Sequence, residues 1–402
     1  MGFFPITLFT SLRDYCVIRL SRVAVVRNNG EPSDEQVFDV VKKAVEHVDG
    51  IKSIVKKGDT VAIKPNVVTG ELSGPGVTTD KRVVEALIRL SKEAGAGKVL
   101  IVEGAGYFTE TSKALELSGY VALAEKYGVE IVDVDKSPVV ELEVPDALLI
   151  NKVEVSKAFM EADVRINVPV MKTHDQLKVT LGVKNLKGVL PRYMKRNFHK
   201  IGVVKGILDL NKAVPVDLTV LDAIVAMEGL GPSFGPKVEL NTIIASKDVY
   251  ALDRIASKIM GFEPEELDHL VEADKAGLID LGSSVEVVGE QVESFTYKFE
   301  RPPTGTDFAE GVTVITDGAC SACHGTIHSV FYDLEQMQKM GEIRDLVIVV
   351  GSNAEVPENL HTKPVIMGAC QARNADKGCY AVGCPPNNDK MMAAIREACG
   401  IE

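Results

Sequence analysis

The chain has 402 residues, a formal net charge of −12, 25% charged and 46% hydrophobic residues, enough to bury one large core and a smaller one without disulfide staples. The acidic balance argues against general binding to nucleic acid or to an anionic membrane surface. No apolar run approaches the roughly 18 residues of a spanning helix, so a soluble cytoplasmic protein is expected.

Residues 1–21 read as an irregular extension. They lack the basic start and small-residue cleavage site of a signal peptide, and Pro5, Ser11 and Arg13 break the apolar stretch. Ile6 stands where a myristoylation signal wants Ser or Thr. From 22 to 300, short β-branched runs alternate with helical patterns. The runs 22–27, 60–64, 99–103, 130–134, 164–168 and 218–222 predict strands buried on both faces. Residues 34–48, 80–93 and 120–127 carry apolar side chains at helical spacing. This alternation predicts an α/β fold with a mainly parallel, doubly wound sheet. Helices follow at 248–260 and 264–276, then a strand at 284–288. The turn-rich stretch 300–307 is the expected linker. A smaller C-terminal α/β domain, 308–402, has expected strands 312–316, 346–350 and 364–367 and helices 327–340 and 389–398.

Polar clusters stand just past several predicted strands of the larger domain: Lys64-Pro65-Asn66, Glu103-Gly104-Ala105-Gly106, Lys172-Thr173-His174, and Asp222 with Glu228. Their common position predicts one shared crevice. Residues 172–205 contain nine Lys or Arg and one carboxylate, Asp175. In an acidic chain this reversal favours a small anionic ligand, a phosphate or carboxylate; a solvated basic face, or contact with an acidic part of the same protein, is the bland alternative. The segment LGVKNLKG sets Lys184, Asn185 and Lys187 near glycines, where backbone N–H groups can also approach a ligand. Lys64, Asn66, Glu103, Lys184, Asn185, Lys187 and Glu228 are therefore the candidate substrate-binding residues. His174 is the candidate acid–base residue because imidazole titrates near neutrality, with Lys172 beside it and His199 as a weaker second. Glu103, Asp222 and Glu228 could instead hold a divalent metal or serve the fold. A dinucleotide fingerprint, a Walker A lysine motif and a nucleophile elbow are all missing.

Six of the seven cysteines lie between 320 and 399. In a chain of this size such crowding points to metal or redox chemistry rather than a secreted disulfide framework. Cys320-x-x-Cys323 follows one predicted strand, Cys370 follows another, and Cys384 sits in GCPP. If the strands are parallel, these thiolates emerge at one carboxyl edge, where α/β folds build sites. A cysteine followed by proline is a habit of iron–sulfur ligands. Cys320, Cys323, Cys370 and Cys384 are thus the expected ligands of a 4Fe–4S cluster, with Cys379 as a reserve for Cys370. Structural zinc uses the same ligand types, and unligated thiols are the remaining alternative. Cys399 is expected to be a packed thiol and Cys16 has no assigned role. His324 and His328 flank the pair as surface or capping residues rather than ligands.

The segments IKPN (63–66), TTDKRVVEAL (78–87), NVPVMKTH (167–174), TLGVKNLKG (180–188), DAIVAMEGLGP (222–232) and ALDRIA (251–256) resemble the family known as domain of unknown function 362. The resemblance covers roughly residues 22–300 and implies an iron–sulfur cluster-binding protein. The CxxCxxCxxxCP run of ferredoxin-bearing members is missing; the C-terminal part looks like the variant ending in G-x-C and GCPP. The resulting expectation is a possible oxidoreductase passing electrons between the cluster and a small anion in the crevice, served by a redox partner protein. A sensor or binding module, and a non-redox enzyme with a structural cluster, are the rivals. A homodimer is the default assembly.

Overall fold

In the computed structural model the described residues are 21–401 apart from 71, 107–108, 175–176, 234, 303–309 and 320. The N-terminal extension with Cys16, most of the expected linker, Asp175 and Cys320 lie outside them, as does the side chain of His199.

The β-branched runs form strands β1 (Arg22–Arg27), β2 (Thr60–Lys64), β3 (Lys98–Glu103), β4 (Glu130–Asp133), β5 (Val139–Glu143) and β6 (Lys152–Ser156). They continue as β7 (Val164–Asn167), β8 (Val170–His174), β9 (Lys178–Thr180), β10 (Leu218–Met227), β11 (Lys237–Ser246) and β12 (Glu286–Gly289). Except for the β5–β6 hairpin, these strands form a 10-stranded sheet of order β12-β1-β11-β10-β7-β2-β3-β4, with β8 and β9 attached beside β10. The run β10-β7-β2-β3-β4 is parallel throughout.

Side chains alternate across the strands, which is why both sheet faces are apolar. Val61 and Ile63 enter one core layer against helices Asp34–His47 and Lys81–Ala94. Ala62 enters the opposite layer, with Phe159, Val183, Phe198 and Ile207. Helix Asp34–His47 begins at a reciprocal capping box between Ser33 and Gln36. Helix Lys81–Ala94 begins where the Asp80 side chain accepts from the Arg82 N–H, and stops at left-handed Gly95.

The connectivity positions the site. From β2 the chain moves outward to β3 and β4, then returns to lay β7 on the other side of β2. The sheet therefore has a switch point between β2 and β7, whose last residues, Lys64 and Asn167, are in register.

The second sheet contains β13 (Val312–Thr316), β14 (Leu346–Val350), β15 (Val365–Met367) and β16 (Cys379–Ala381), in that order and parallel throughout. Helices Ser321–Gln336 and Asn388–Cys399 cover one face with their own apolar cluster.

Some boundaries differ from expectation. β10 continues past Asp222 to Met227, because the Asp222 carboxylate is satisfied inside the sheet by the backbone N–H groups of Asp80 and Ile224. Its antiparallel neighbour β11 and the hairpin β5–β6 were not anticipated. Residues 264–276 divide into a 3-10 turn, Pro264–Glu266, and helix Asp268–Lys275. The helix expected at 327–340 starts earlier, at Ser321, and so takes Cys323 into its first turn. Among the described residues no helix is long and apolar enough to cross a membrane.

Candidate functional site

At the switch point the ends of β2, β7, β3 and β8 meet the turn after β9. Lys64 ends β2 fully buried, and its Nζ donates to Glu103 Oε2 at 2.7 Å and to the Pro65 carbonyl at 2.7 Å. Asn185 Oδ1 accepts from Asn66 Nδ2 at 2.9 Å, and Asn185 Nδ2 donates to Asn167 Oδ1 at 2.8 Å. Lys172, also fully buried, donates to Asn66 Oδ1 at 2.7 Å and to the Val77 carbonyl at 2.6 Å. Five expected residues, Lys64, Asn66, Glu103, Lys172 and Asn185, are thus joined in one network. Asn167, not singled out beforehand, completes it. Burial pushes the Lys64 ammonium below the ordinary lysine range and the Glu103 carboxyl above the usual carboxylate range. Each is opposed by its partner's charge, because desolvation penalises both ions while their attraction restores them.

A second tier of cations surrounds Glu103. Lys195 reaches from helix Arg192–Ile201 to donate to the carbonyls of Gly104 at 2.7 Å and Ala105 at 2.9 Å. Burial pushes it down to about 8 against the pull of Glu103 and Asp135. Lys187, on the 3-10 turn Leu186–Val189, is pushed well below the lysine range by burial and then by Lys184 and Lys195. Gly188 lies directly against the ion pair: a Cβ there would collide with Glu103 Oε1 and stand 2.5 Å from Lys64 Nζ. Its carbonyl accepts the Gly104 N–H at 2.8 Å. Lys195 was visible in the sequence only as one basic residue among nine.

Other expected residues are placed differently. Glu228 is tied to the chain after the sheet, accepting the Glu300 N–H at 2.7 Å, and Asp222 serves the backbone as described. Glu103, Asp222 and Glu228 therefore work separately. Among the described residues no group of three or more His, Cys, Asp or Glu side chains is placed to hold a metal ion. The backbone N–H groups of Gly182 and Val183 do not face a ligand; Asp253 takes both, at 2.7 and 3.1 Å. Lys184 Nζ donates to Thr180 Oγ1 at 3.3 Å. His174 is buried at the end of β8, two residues beyond Lys172 and on the same strand face. Beside Lys172, a cleft of ≈ 380 Å³ is lined by Leu72, Pro75, Val77, Met227, Gly235 and Lys237. Next to Val77, the fully buried Thr78 hydroxyl has no hydrogen-bond partner among the described residues.

In the second sheet the cysteine-bearing segments gather at the carboxyl edge. The Asp317–Ala319 segment, leading to Cys320, is held by Asn353, whose N–H donates to the Asp317 carbonyl at 3.0 Å. The Gln371 side chain, one residue after Cys370, donates to the carbonyls of Gly351 and Ala354 beyond β14. Ala369 N donates to the Gly383 carbonyl at 2.6 Å, stitching the Cys370 turn to the Cys384 loop. Thr326, one helical turn from Cys323, donates to the Pro386 carbonyl at 3.1 Å. The result is a cradle at Gly368: the point where its Cβ would stand lies 3.6 Å from Cys370 Sγ, 3.7 Å from Cys323 Sγ and 3.8 Å from the Gly383 carbonyl.

Cys379 is no reserve for Cys370. It opens β16 opposite Val365, away from the carboxyl edge, and its N–H bonds Pro364 at the start of β15. Burial, and then Glu397, push its thiol up to about 11. Cys399 is a packed thiol beside the same cluster.

Comparison with known proteins follows this geometry. The family model described as "Domain of unknown function (DUF362)" matches residues 61–258, which include the whole lysine network. The thylakoid-associated protein sll1697 of Synechocystis sp. is 33% identical over 246 residues, covering 59% of this chain and 74% of that protein. Among solved structures, the lactate racemase apoprotein of Thermoanaerobacterium thermosaccharolyticum is 14% identical with a TM-score of 0.40, covering 60% of this chain and 57% of that one. A Thermotoga maritima protein is 13% identical with a TM-score of 0.37, covering 55% and 57%. The chain spans little more than half the length of either structure. On the curated relative and the family model together, this chain belongs to the family described as domain of unknown function 362.

Proposed function

We propose that this chain is a cytoplasmic iron–sulfur redox protein whose lysine-lined crevice holds a small anionic substrate. The observation that carries the reading is the Gly368 cradle, where the sulfurs of Cys323 and Cys370 approach one point at 3.7 and 3.6 Å. Cys323 and Cys370 would supply two of the thiolate ligands; Cys384 and Cys320 complete the set on sequence grounds, the described residues holding no group of three cysteines gathered for a metal. A 4Fe–4S cluster, when bound, supplies one-electron chemistry. Thiolate ligation also suits a reducing compartment such as the cytoplasm. Among the described cysteines of the set, Cys370 is the exposed one, which leaves an approach for a redox partner protein.

The crevice contributes charge and shape. Lys172, Lys184 and Lys187 would neutralise a carboxylate or phosphate entering near Asn66, Lys64 being already paired with Glu103, while the Thr78 hydroxyl, without a partner among the described residues, supplies a hydrogen bond. His174 would hold or release the proton that accompanies electron transfer.

Anaerobic purification with metal analysis and a visible spectrum tests the proposal. About four irons per chain and a broad visible absorption band are expected. Colourless protein containing zinc, or no metal, would sink it. A reduction potential that shifts when a small carboxylate or phosphate is added would link the crevice to the cluster.

A further inference from the structure

The cleft beside Lys172 combines apolar walls with one free cation. Val77 and Met227, which line it, are buried, Pro75 adds a further apolar wall, and Leu72 is 72% exposed. An apolar side chain this open, next to buried apolar neighbours, is surface that a ligand would take out of water. The walls are held in place. Gly76, at φ 87°, seats the loop 72–77 on β10, where a Cβ would stand 2.9 Å from the Ala226 carbonyl. Gly74 N donates to the Thr78 carbonyl at 3.2 Å, and the Val77 carbonyl accepts from Lys172 Nζ at 2.6 Å. Across from this loop, Met227 on β10 and Lys237 on β11 are directly opposite each other, so their side chains share one face of the sheet. Lys237 is exposed and is the one cation among the described residues that line the cleft. It has no ion-pair or hydrogen-bond partner among the described residues. Ser233 adds a hydroxyl to the same lining.

We infer that this cleft is a binding site for an aliphatic monocarboxylate, its chain laid against Leu72, Pro75, Val77 and Met227 and its carboxylate met by Lys237 and Ser233. The site goes beyond the lysine crevice, none of whose cations lines it. Val77 is shared between them: it lines this cleft, while its carbonyl is held by Lys172. A single cation suits a single negative charge. A phosphate dianion would set its second charge against apolar walls without a partner. A neutral apolar ligand would gain nothing from Lys237. The volume of ≈ 380 Å³ falls within the range of small-ligand sites, about 300–1,000 Å³. Each methylene that enters leaves water, and the carboxylate stays beside an exposed lysine where its hydration is largely kept.

The test uses the full chain, purified without oxygen and titrated with acetate, butanoate, pentanoate and hexanoate, with hexanamide as the uncharged match; ligand-observed NMR reads the affinities. Affinity should rise about two- to four-fold with each added methylene. Lys237→Gln should weaken hexanoate by about ten-fold and leave hexanamide unchanged. Leu72→Ser should weaken both by about two- to five-fold. Leu72 and Lys237 are exposed, so neither exchange opens the core. The chain-length series on the unaltered protein carries the test by itself if a variant fails to fold. Affinity that does not grow with chain length, or hexanoate binding unaltered by Lys237→Gln, would overturn the site. Either result leaves the crevice standing, because that reading is tested by the reduction potential in the presence of small anions. A chain-length series as expected, with a potential that no anion shifts, would keep this cleft and remove the link between crevice and cluster.

Discussion

Lys64 and Glu103 end adjacent parallel strands, and their charged groups meet at 2.7 Å with side chains 1% and 2% exposed. Around them, Gly104 donates its N–H to the Gly188 carbonyl, and both leave space that only glycine can leave. The carboxylate receives the Gly104 N–H as well as Lys64, so charge and hydrogen-bonding capacity are both met. Burying an ion pair is tolerable on these terms and costly on any others.

Breaking the pair from one side should therefore be expensive. Glu103→Leu leaves a buried ammonium without its counter-charge and should cost roughly 3–5 kcal/mol in urea unfolding. Lys64→Met combined with Glu103→Leu should cost less than Glu103→Leu alone. A loss below about 1 kcal/mol for Glu103→Leu would mean that the pair does not hold this edge of the sheet.

Gly188→Ala tests the packing rather than the charge. The new methyl would overlap Glu103 Oε1 and crowd Lys64 Nζ, so a loss of about 1–3 kcal/mol is expected. Gly341→Ala, whose Cβ meets nothing within 4 Å, serves as the control. Equal effects at the two positions would contradict the collision.

Lys195 gives a pH signature. Its folded value of about 8 lies below the ordinary 10.5, so its stabilising contribution is full above 10.5 and is lost as pH falls through about 8. The gap corresponds to about 3 kcal/mol. Compared with Lys195→Met, the unaltered protein should lose roughly that amount between pH 10.5 and 7. Parallel stability curves over this range would show that Lys195 is not desolvated as the geometry implies.

The cysteines divide into two sets. Cys323→Ser, Cys370→Ser and Gly368→Ala should each lower iron bound per chain by more than about half. The alanine does so by bringing a methyl into contact with both sulfurs at a backbone φ of 96°, where a side chain is strained. Cys379→Ser, at the far end of β16, should leave iron unchanged. Iron loss in Cys379→Ser alone would place the site elsewhere.

Much of the fold was legible locally. The limits of β2 follow from its β-branched run, and the parallel C-terminal sheet follows from strands separated by a helix. β11 was not legible: its sequence, KVELNTIIAS, begins with alternating polar residues and becomes apolar only where it passes between β1 and β10. β8 was not legible as a strand: Lys172, Thr173 and His174 form a polar cluster just past the predicted strand 164–168, yet all three are buried. The burial of Lys172 and Thr173 is possible because Asn66, Val77 and Gly229 supply oxygen acceptors from distant segments.

The amino-acid order alone determined the α/β class, the crowding of cysteines near the C-terminus and the basic stretch within an acidic chain, because each depends on neighbours or composition. Tertiary structure decided which of those charges meet. Lys195 reaches Gly104 across 91 positions, and Asn185 reaches Asn66 across 119. It also separated Cys379 from Cys370, nine residues apart in sequence but facing different ends of a parallel sheet. Sequence distance says little about either relation, since a strand carries the chain from one edge of a sheet to the other within a few residues, while the return path can bring remote segments back to the same edge.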